Sequence, residues 1–154
     1  MQKSLWSLFS MLTLTSLLAG SAFADAPAVH AAARKPVKFT AADVRGPVFE
    51  RKSAVHENGP DGPSIDVSLI KSRDGRFEAG VYSAGPSDTA IESYEDDEFM
   101  FFLEGGVTLT SADGSVLEVV AGEGVAIPKG WKGRWTTEGY KKYYVTYASG
   151  PKPT

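Results

Sequence analysis

The chain has 154 residues, with 16 Lys and Arg against 19 Asp and Glu and a formal net charge of −3. A mildly acidic chain lacks the basic surface that nucleic-acid binding requires, and a chain without cysteine forms neither disulfides nor a lipid anchor on cysteine. Its length is sufficient for a single domain with a hydrophobic core.

Residues 1–24 are typical of a secretory signal peptide. Lys3 supplies the positive start, Leu5–Leu18 is apolar, and residues 22–24 read Ala-Phe-Ala, a small-x-small cleavage signal before Asp25. The apolar stretch is too short and too rich in Ser and Thr for a convincing membrane span. We therefore expect a periplasmic or secreted mature protein that begins at Asp25 and has no membrane segment after cleavage.

Residues 25–36 are rich in Ala and Pro and predict a flexible linker, and residues 37–150 predict one domain of short strands. Residues 51–64, which include His56, are polar with two Pro and two Gly, and predict a loop. Many short strands separated by turn residues favour an all-β fold, an antiparallel sandwich or barrel. The predicted strands are Ile65–Lys71, Phe77–Ser83, Phe99–Leu103, Val107–Thr110, Val116–Val120, Val125–Ile127, Trp131–Thr136 and Tyr143–Tyr147.

Two spaced motifs stand in the middle of these strands. Glu98 is followed by six residues and then Gly105, and Gly122 is followed by five residues, Pro128, one residue and Gly130. In this order the two motifs resemble the two halves of the cupin signature. The runs DEFMFFLEGGVTLTSADG, AGEGVAIPKGWKGRW and KKYYVTY resemble the ureidoglycine aminohydrolase-like cupins in particular. This resemblance implies a small antiparallel jelly-roll barrel, often built as a dimer.

The chain departs from the resemblance at the metal ligands. Cupins generally place H-x-H before the glutamate and a third His shortly after the P-x-G turn. The corresponding residues here are Glu92-Ser93-Tyr94 and Gly133, and only Glu98 keeps its type. First-row metals favour imidazole-rich sites, so we expect no metal cofactor.

Strand alternation predicts which side chains face the barrel interior. If Glu98 points inward, Met100 follows it, and the same parity around Gly133 points Trp131 and Trp135 inward. The motif also places Glu92 and Tyr94 towards the interior. Because Gly133 has no side chain, it would then leave a space in the barrel interior. Two interior carboxylates would repel each other, and Glu98→Gln would therefore leave stability equal or slightly improved.

The apolar residues Phe99, Phe101 and Leu103 are predicted to point outward. Large apolar side chains on an outer face need a cover. Either a partner subunit in a homodimer or the Val37–Phe49 segment of the same chain could provide that cover, and the sequence does not decide between them.

Three functions remain open from the sequence. The first is an exported, metal-free module that binds a small cationic or hydrogen-bonding molecule through Glu92, Tyr94, Glu98, Met100, Trp131 and Trp135. The second is a small enzyme, a hydrolase or lyase acting on an amine- or ureide-like metabolite, with Glu92, Tyr94 and Glu98 as candidate catalytic acid/base groups. The third is a structural dimer whose barrel is filled by side chains.

Overall fold

The computed structural model describes residues 35–40, 42–59 and 61–149, so the predicted signal peptide and most of the predicted linker lie outside the described residues. The described chain begins with two short 3-10 turns, Asp43–Arg45 and Pro47–Glu50. Nine strands follow: β1 Val55–Gly59, β2 Gly62–Lys71, β3 Phe77–Ala84, β4 Ser87–Ile91, β5 Asp97–Ser111, β6 Val116–Val120, β7 Gly124–Ile127, β8 Gly133–Thr137 and β9 Tyr140–Tyr147. Within this part of the chain, no helix is long and apolar enough to cross a membrane.

The strands form one curled antiparallel sheet in the order β1-β2-β3-β9-β5-β8-β4, with β6 and β7 also paired to β5. The long strand β5 links the two halves of this sheet. Its first half pairs with β7 and β9, and its second half pairs with β6 and β8. This arrangement confirms the predicted all-β jelly-roll barrel.

The predicted strands Phe99–Leu103 and Val107–Thr110, which we expected a turn at residues 104–106 to separate, are parts of one strand, because β5 continues through those residues. The pairing with β9 shifts register between Phe102 and Glu104, so the strand contains a bulge there. Gly105 has a φ of 67°, and a Cβ at this position would lie 1.9 Å from the carbonyl oxygen of Gly139. A glycine in the left-handed region allows a bulge where we predicted a turn.

The predicted loop at residues 51–64 is also wrong, since it contains β1 and the start of β2. These strands form a hairpin in which Gly59 pairs with Gly62. Every residue of β1 is exposed, including His56, so its sequence has no apolar alternation to reveal a strand. Strand β4 was also not predicted from the sequence, because it is short and only half-buried on one face.

Two hydrophobic clusters cover the two faces of the sheet. The interior cluster packs inside the curl, and the outer cluster packs the 3-10 segment against the outside of β2 and β3. The interior cluster contains Met100, Phe102, Val107, Leu109, Val119, Ile127, Trp135 and Tyr140; the outer cluster contains Val44, Val48, Phe49, Val67 and Val81. The site lies on the interior face.

The alternation predicted for β5 is confirmed on both faces. Met100 and Phe102 are fully buried inside, whereas Phe99 and Phe101 are 52% and 37% exposed on the outer face. Leu103 packs against the outer cluster, so the segment before β1 covers that residue. The described part of this chain covers only one end of the apolar outer face and leaves the two phenylalanines exposed.

Candidate functional site

A cavity of ≈ 560 Å³ opens inside the curled sheet. Its wall is polar and aromatic, and it carries five carboxylates, five aromatic rings and one ammonium group. These side chains are Glu57, Asp61, Asp66, Glu78, Glu98, Tyr82, Tyr94, Trp135, Tyr140, Tyr144 and Lys142. A wall of this chemistry suits a polar small molecule.

Glu98 forms the centre of a hydrogen-bonded triad at the cavity floor. Its Oε1 accepts a hydrogen bond from Lys142 Nζ at 2.7 Å, and its Oε2 accepts one from the Tyr94 hydroxyl at 2.6 Å. The side chains of Lys142 and Glu98 are 7% and 10% exposed. Both carboxylate oxygens are therefore engaged by donors from this chain, in a largely desolvated position.

The Lys142 ammonium sits in a cage that we define by Glu98, Met100, Tyr82, Trp135 and Tyr140. Its Nζ lies 5.4, 5.5 and 5.7 Å from the ring centroids of Tyr82, Trp135 and Tyr140. It also lies 3.6 Å from Met100 Sδ. Ring faces at these distances attract a cation electrostatically, so the Lys142 cage compensates part of the ammonium's lost hydration.

The P-x-G turn positions the Tyr94 ring of the triad. Gly130, with φ of +83°, donates its backbone N–H to the Tyr94 carbonyl at 2.8 Å, and the Tyr94 N–H donates to the Trp131 carbonyl at 2.8 Å. The Tyr94 ring stacks on Trp135, with 6.4 Å between centroids. Burial, followed by the nearby Glu98 carboxylate, raises the pKa of Tyr94 far above its ordinary value. Tyr94 is therefore a neutral hydrogen-bond donor at physiological pH.

A second carboxylate, Asp66 on β2, lines the cavity two strands away from Lys142, because Asp66 pairs with Tyr82 and Tyr82 pairs with Lys142. Its Oδ1 accepts a hydrogen bond from the Tyr144 hydroxyl at 2.8 Å. Desolvation raises the pKa of Asp66 above its ordinary value. Gly80 lies opposite Tyr144 in the strand pairing, and a Cβ on Gly80 would come within 2.5 Å of the Tyr144 hydroxyl. The missing side chain at residue 80 thus makes room for the ring that holds Asp66.

Three of the predicted site residues line the cavity together: Tyr94, Glu98 and Trp135. Met100 is fully buried beneath the floor, where its sulfur contacts Lys142. Trp131 lies behind Tyr94, at 6.3 Å between ring centroids, and its indole N–H donates to Ser111 Oγ at 3.2 Å. These two residues support the floor and do not line the cavity.

The structure corrects two details of the predicted site. Glu92 is exposed and does not line the cavity, because β4 ends at Ile91 and residue 92 has the parity of its outward-facing residues. The space predicted at Gly133 is filled, since a Cβ there would lie 2.5 Å from the Trp131 ring. Glu98 therefore has no carboxylate neighbour from Glu92, and the predicted repulsion does not exist.

The most consequential residue that the sequence prediction missed is Lys142. It stands in a run of lysines and tyrosines on β9, whose even-numbered residues Tyr140, Lys142 and Tyr144 point into the barrel. Strict alternation from Tyr140 could have placed Lys142 inside. The prediction began this strand at Tyr143 and so left Lys142 out.

The residues at the floor do not fit a divalent metal ion. In the ranges that the structure describes, no group of three His, Cys, Asp or Glu side chains is arranged to hold one. Glu98 is the only carboxylate of the triad, and the positive ammonium of Lys142 lies 2.7 Å from it. A metal ion bound to Glu98 would meet a buried positive charge in place of a further electron-pair donor.

Residues 71–144 match the family described as EutQ-like cupin domain. No curated protein matches the chain. Among solved structures, the chain is similar to a putative ethanolamine utilization protein EutQ from Salmonella typhimurium, with 21% identity over 60% of this chain and 76% of that one and a TM-score of 0.51.

Two further structures share the fold. A protein of unknown function from Rhizobium leguminosarum is 26% identical over 75% of this chain and all of that chain, with a TM-score of 0.53. The ectoine synthase of P. lautus is 14% identical over 66% of this chain and 73% of its own length, with a TM-score of 0.53.

Proposed function

We propose that this chain carries a cupin domain and that the domain binds a small polar molecule in the cavity inside its sheet. One observation carries the proposal. A cavity of ≈ 560 Å³ has the ion pair of Lys142 and Glu98 at its floor and a further carboxylate, Asp66, on its wall. Such a volume is in the range of small-molecule sites, and polar groups at the floor and on the wall give a ligand a defined orientation.

The floor favours an oxygen acceptor on the ligand. An ammonium group has three N–H donors, and Glu98 and Met100 account for two of those of Lys142. The Lys142 cage already holds the ammonium group of Lys142. A cationic ligand therefore does not bind between Glu98 and the rings, where the sequence predicted it. The ligand atom at the floor is a carbonyl or carboxylate oxygen that accepts from Lys142.

The wall at Asp66 favours a positive or hydrogen-bond-donating group on the ligand. Asp66 is half-buried, and desolvation raises its pKa. A ligand ammonium group beside Asp66 would offset this cost of desolvation. The proposed ligand class is therefore a small molecule with an oxygen acceptor at one end and an amine or similar donor at the other.

Calorimetric titration with three matched probes tests this proposal: 4-aminobutyrate, butyrate and n-butylammonium. We expect 4-aminobutyrate to bind more tightly than either half-probe, and we expect Asp66→Asn to reduce its affinity about tenfold or more. Asp88→Asn is the matched control, because Asp88 is exposed and does not line the cavity. Equal binding of the three probes, or an equal loss in both variants, would contradict the proposed ligand class.

A second candidate function is acid/base catalysis on an amine- or ureide-like metabolite. The observation in its favour is that Glu98 bridges two proton donors, Tyr94 and Lys142, at the cavity. The ureidoglycine aminohydrolase-like assignment stays a prediction, since the family match is to the EutQ-like cupin domain.

Proton NMR of the protein with a panel of ureides tests this second candidate. We expect product signals that disappear with Tyr94→Phe, a variant that removes only the hydroxyl. No turnover of any ureide by the unaltered protein would leave binding as the function.

A further inference from the structure

The Lys142 cage has the chemistry of an alkylammonium-binding site. A carboxylate oxygen lies 2.7 Å from the nitrogen, a thioether sulfur lies 3.6 Å from it, and three ring centroids lie within 5.7 Å. Aromatic faces together with one carboxylate are the groups with which proteins bind ammonium ligands. In this protein, the group inside is a side chain of the same chain.

We infer that the floor of the cavity is an alkylammonium cage filled by the protein's own Lys142, which supplies the fixed positive charge of the site. The cage persists as a binding site when the lysine side chain is shortened, and it then takes a free alkylammonium ion. The inference concerns the same cavity as the proposed function and gives the origin of its floor charge. Its test needs no natural ligand, so the two proposals fail separately.

Two observations indicate that the residues of the Lys142 cage keep their positions when the lysine side chain is removed. Tyr140 and Trp135 are members of the interior cluster, and Met100 is fully buried beneath them. Tyr94 holds the second oxygen of Glu98, so the carboxylate keeps its orientation without the lysine. Close-packed interior side chains relax only partly around a deletion, and the vacated volume remains.

The first experiment combines Lys142→Ala with n-propylammonium chloride. Alanine keeps Cβ, and propylammonium replaces the three remaining methylenes and the ammonium group. We expect saturable binding by calorimetry and a rise in melting temperature in Lys142→Ala, with neither effect in the unaltered protein. n-Propanol, which has no charge, should give a much smaller effect.

Two variants control this experiment. Adding Glu98→Gln to Lys142→Ala removes the carboxylate charge and should weaken propylammonium binding at least about tenfold. Lys141→Ala removes the neighbouring lysine, whose Nζ lies 2.9 Å from Glu104 outside the cage, and should create no propylammonium site. Equal binding to Lys142→Ala and Lys141→Ala, or equal rescue by propanol, would overturn the inference.

A second route covers the case in which Lys142→Ala does not fold. The chain has no cysteine, so Lys142→Cys introduces a single thiol. Alkylation in denaturant with 2-bromoethylamine forms a C–S bond, releases bromide and a proton, and yields an ammonium side chain of lysine length. Iodoacetamide forms a neutral adduct on the same thiol, with loss of iodide and a proton. After refolding, we expect only the aminoethylated protein to recover a cooperative transition near that of the unaltered protein; equal recovery of both adducts would overturn the inference.

Discussion

The substitution Glu98→Gln gives the sharpest test of the floor, because the sequence and the structure predict opposite signs. Repulsion between two interior carboxylates would make the change neutral or stabilising. The structure instead pairs Glu98 with Lys142, and both side chains are nearly buried, at 10% and 7% exposure. Glutamine at residue 98 would leave the ammonium buried without its counter-charge, so we predict a loss of stability.

The size of that loss follows from the burial of the pair. Removing one partner of a buried ion pair costs about 3–5 kcal/mol. The three ring faces around Lys142 and the amide oxygen of the new glutamine recover part of this cost, which places the expected loss near the lower value, about 3 kcal/mol. For a domain of this size, such a loss lowers the melting temperature by roughly 10 °C.

Chemical denaturation at neutral pH measures the effect within a double-mutant cycle. We expect Glu98→Gln and Lys142→Met each to destabilise the protein, and we expect the double variant to lose less than the sum, because neither charge is then left alone. Asp88→Asn and Arg134→Met form the matched surface cycle. That exposed pair should show a much smaller coupling than the buried pair, because solvent screens its charges.

A stability of Glu98→Gln equal to or above that of the unaltered protein would refute the reasoning. The same holds if the coupling between residues 98 and 142 is no larger than that of the surface pair. Either result would mean that the two side chains do not form a buried pair in solution.

Four further predictions address other parts of the molecule. Because burial raises the pKa of Asp66, the folded state holds this proton more tightly than the unfolded chain does. The contribution of Asp66 to stability is therefore present at about pH 4 and below, and it is lost as the pH rises through the raised pKa. In urea denaturation across this pH range, Asp66→Asn should remove that loss of stability. Gly80→Ala should cost about 1–3 kcal/mol by displacing the ring that faces it, whereas the exposed Gly114→Ala control tests only backbone strain. Phe99→Ser combined with Phe101→Ser should shift the sedimentation coefficient from that of a homodimer towards that of a monomer. If the unaltered protein already sediments as a monomer, the predicted dimer is wrong. Intact mass of protein recovered from the periplasm should correspond to a chain beginning at Asp25, and a full-length mass would contradict export with cleavage.

The turn and parity signals of the fold could be read directly from the sequence. Gly122 and Gly130 adopt positive φ as their motif requires, and Met100 and Trp135 are buried on the predicted face. These features depend on backbone geometry and strand alternation, which act over a few residues. Local rules of this kind predicted most strands and the inward face of β5.

The charge arrangement of the site could not be predicted in the same way. Glu98 and Lys142 are 44 residues apart, and their contact depends on the pairing of β5 with β9. The motif alignment placed Glu92 inside by analogy with a histidine position, but β4 ends one residue earlier. Long-range register decides which charges meet, and a single sequence contains little information about it.

The central claim is that the cation at the cavity floor is the ammonium of Lys142. The most direct measurement is NMR of the lysine side chains, with 15Nζ and 13Cε detection and assignment by Lys142→Met. Three ring faces and a carboxylate predict one slowly exchanging ammonium signal, with methylene protons shifted strongly upfield by the rings, that is absent in the variant. A Lys142 signal with the shifts and fast exchange of a solvent-exposed lysine would contradict the claim.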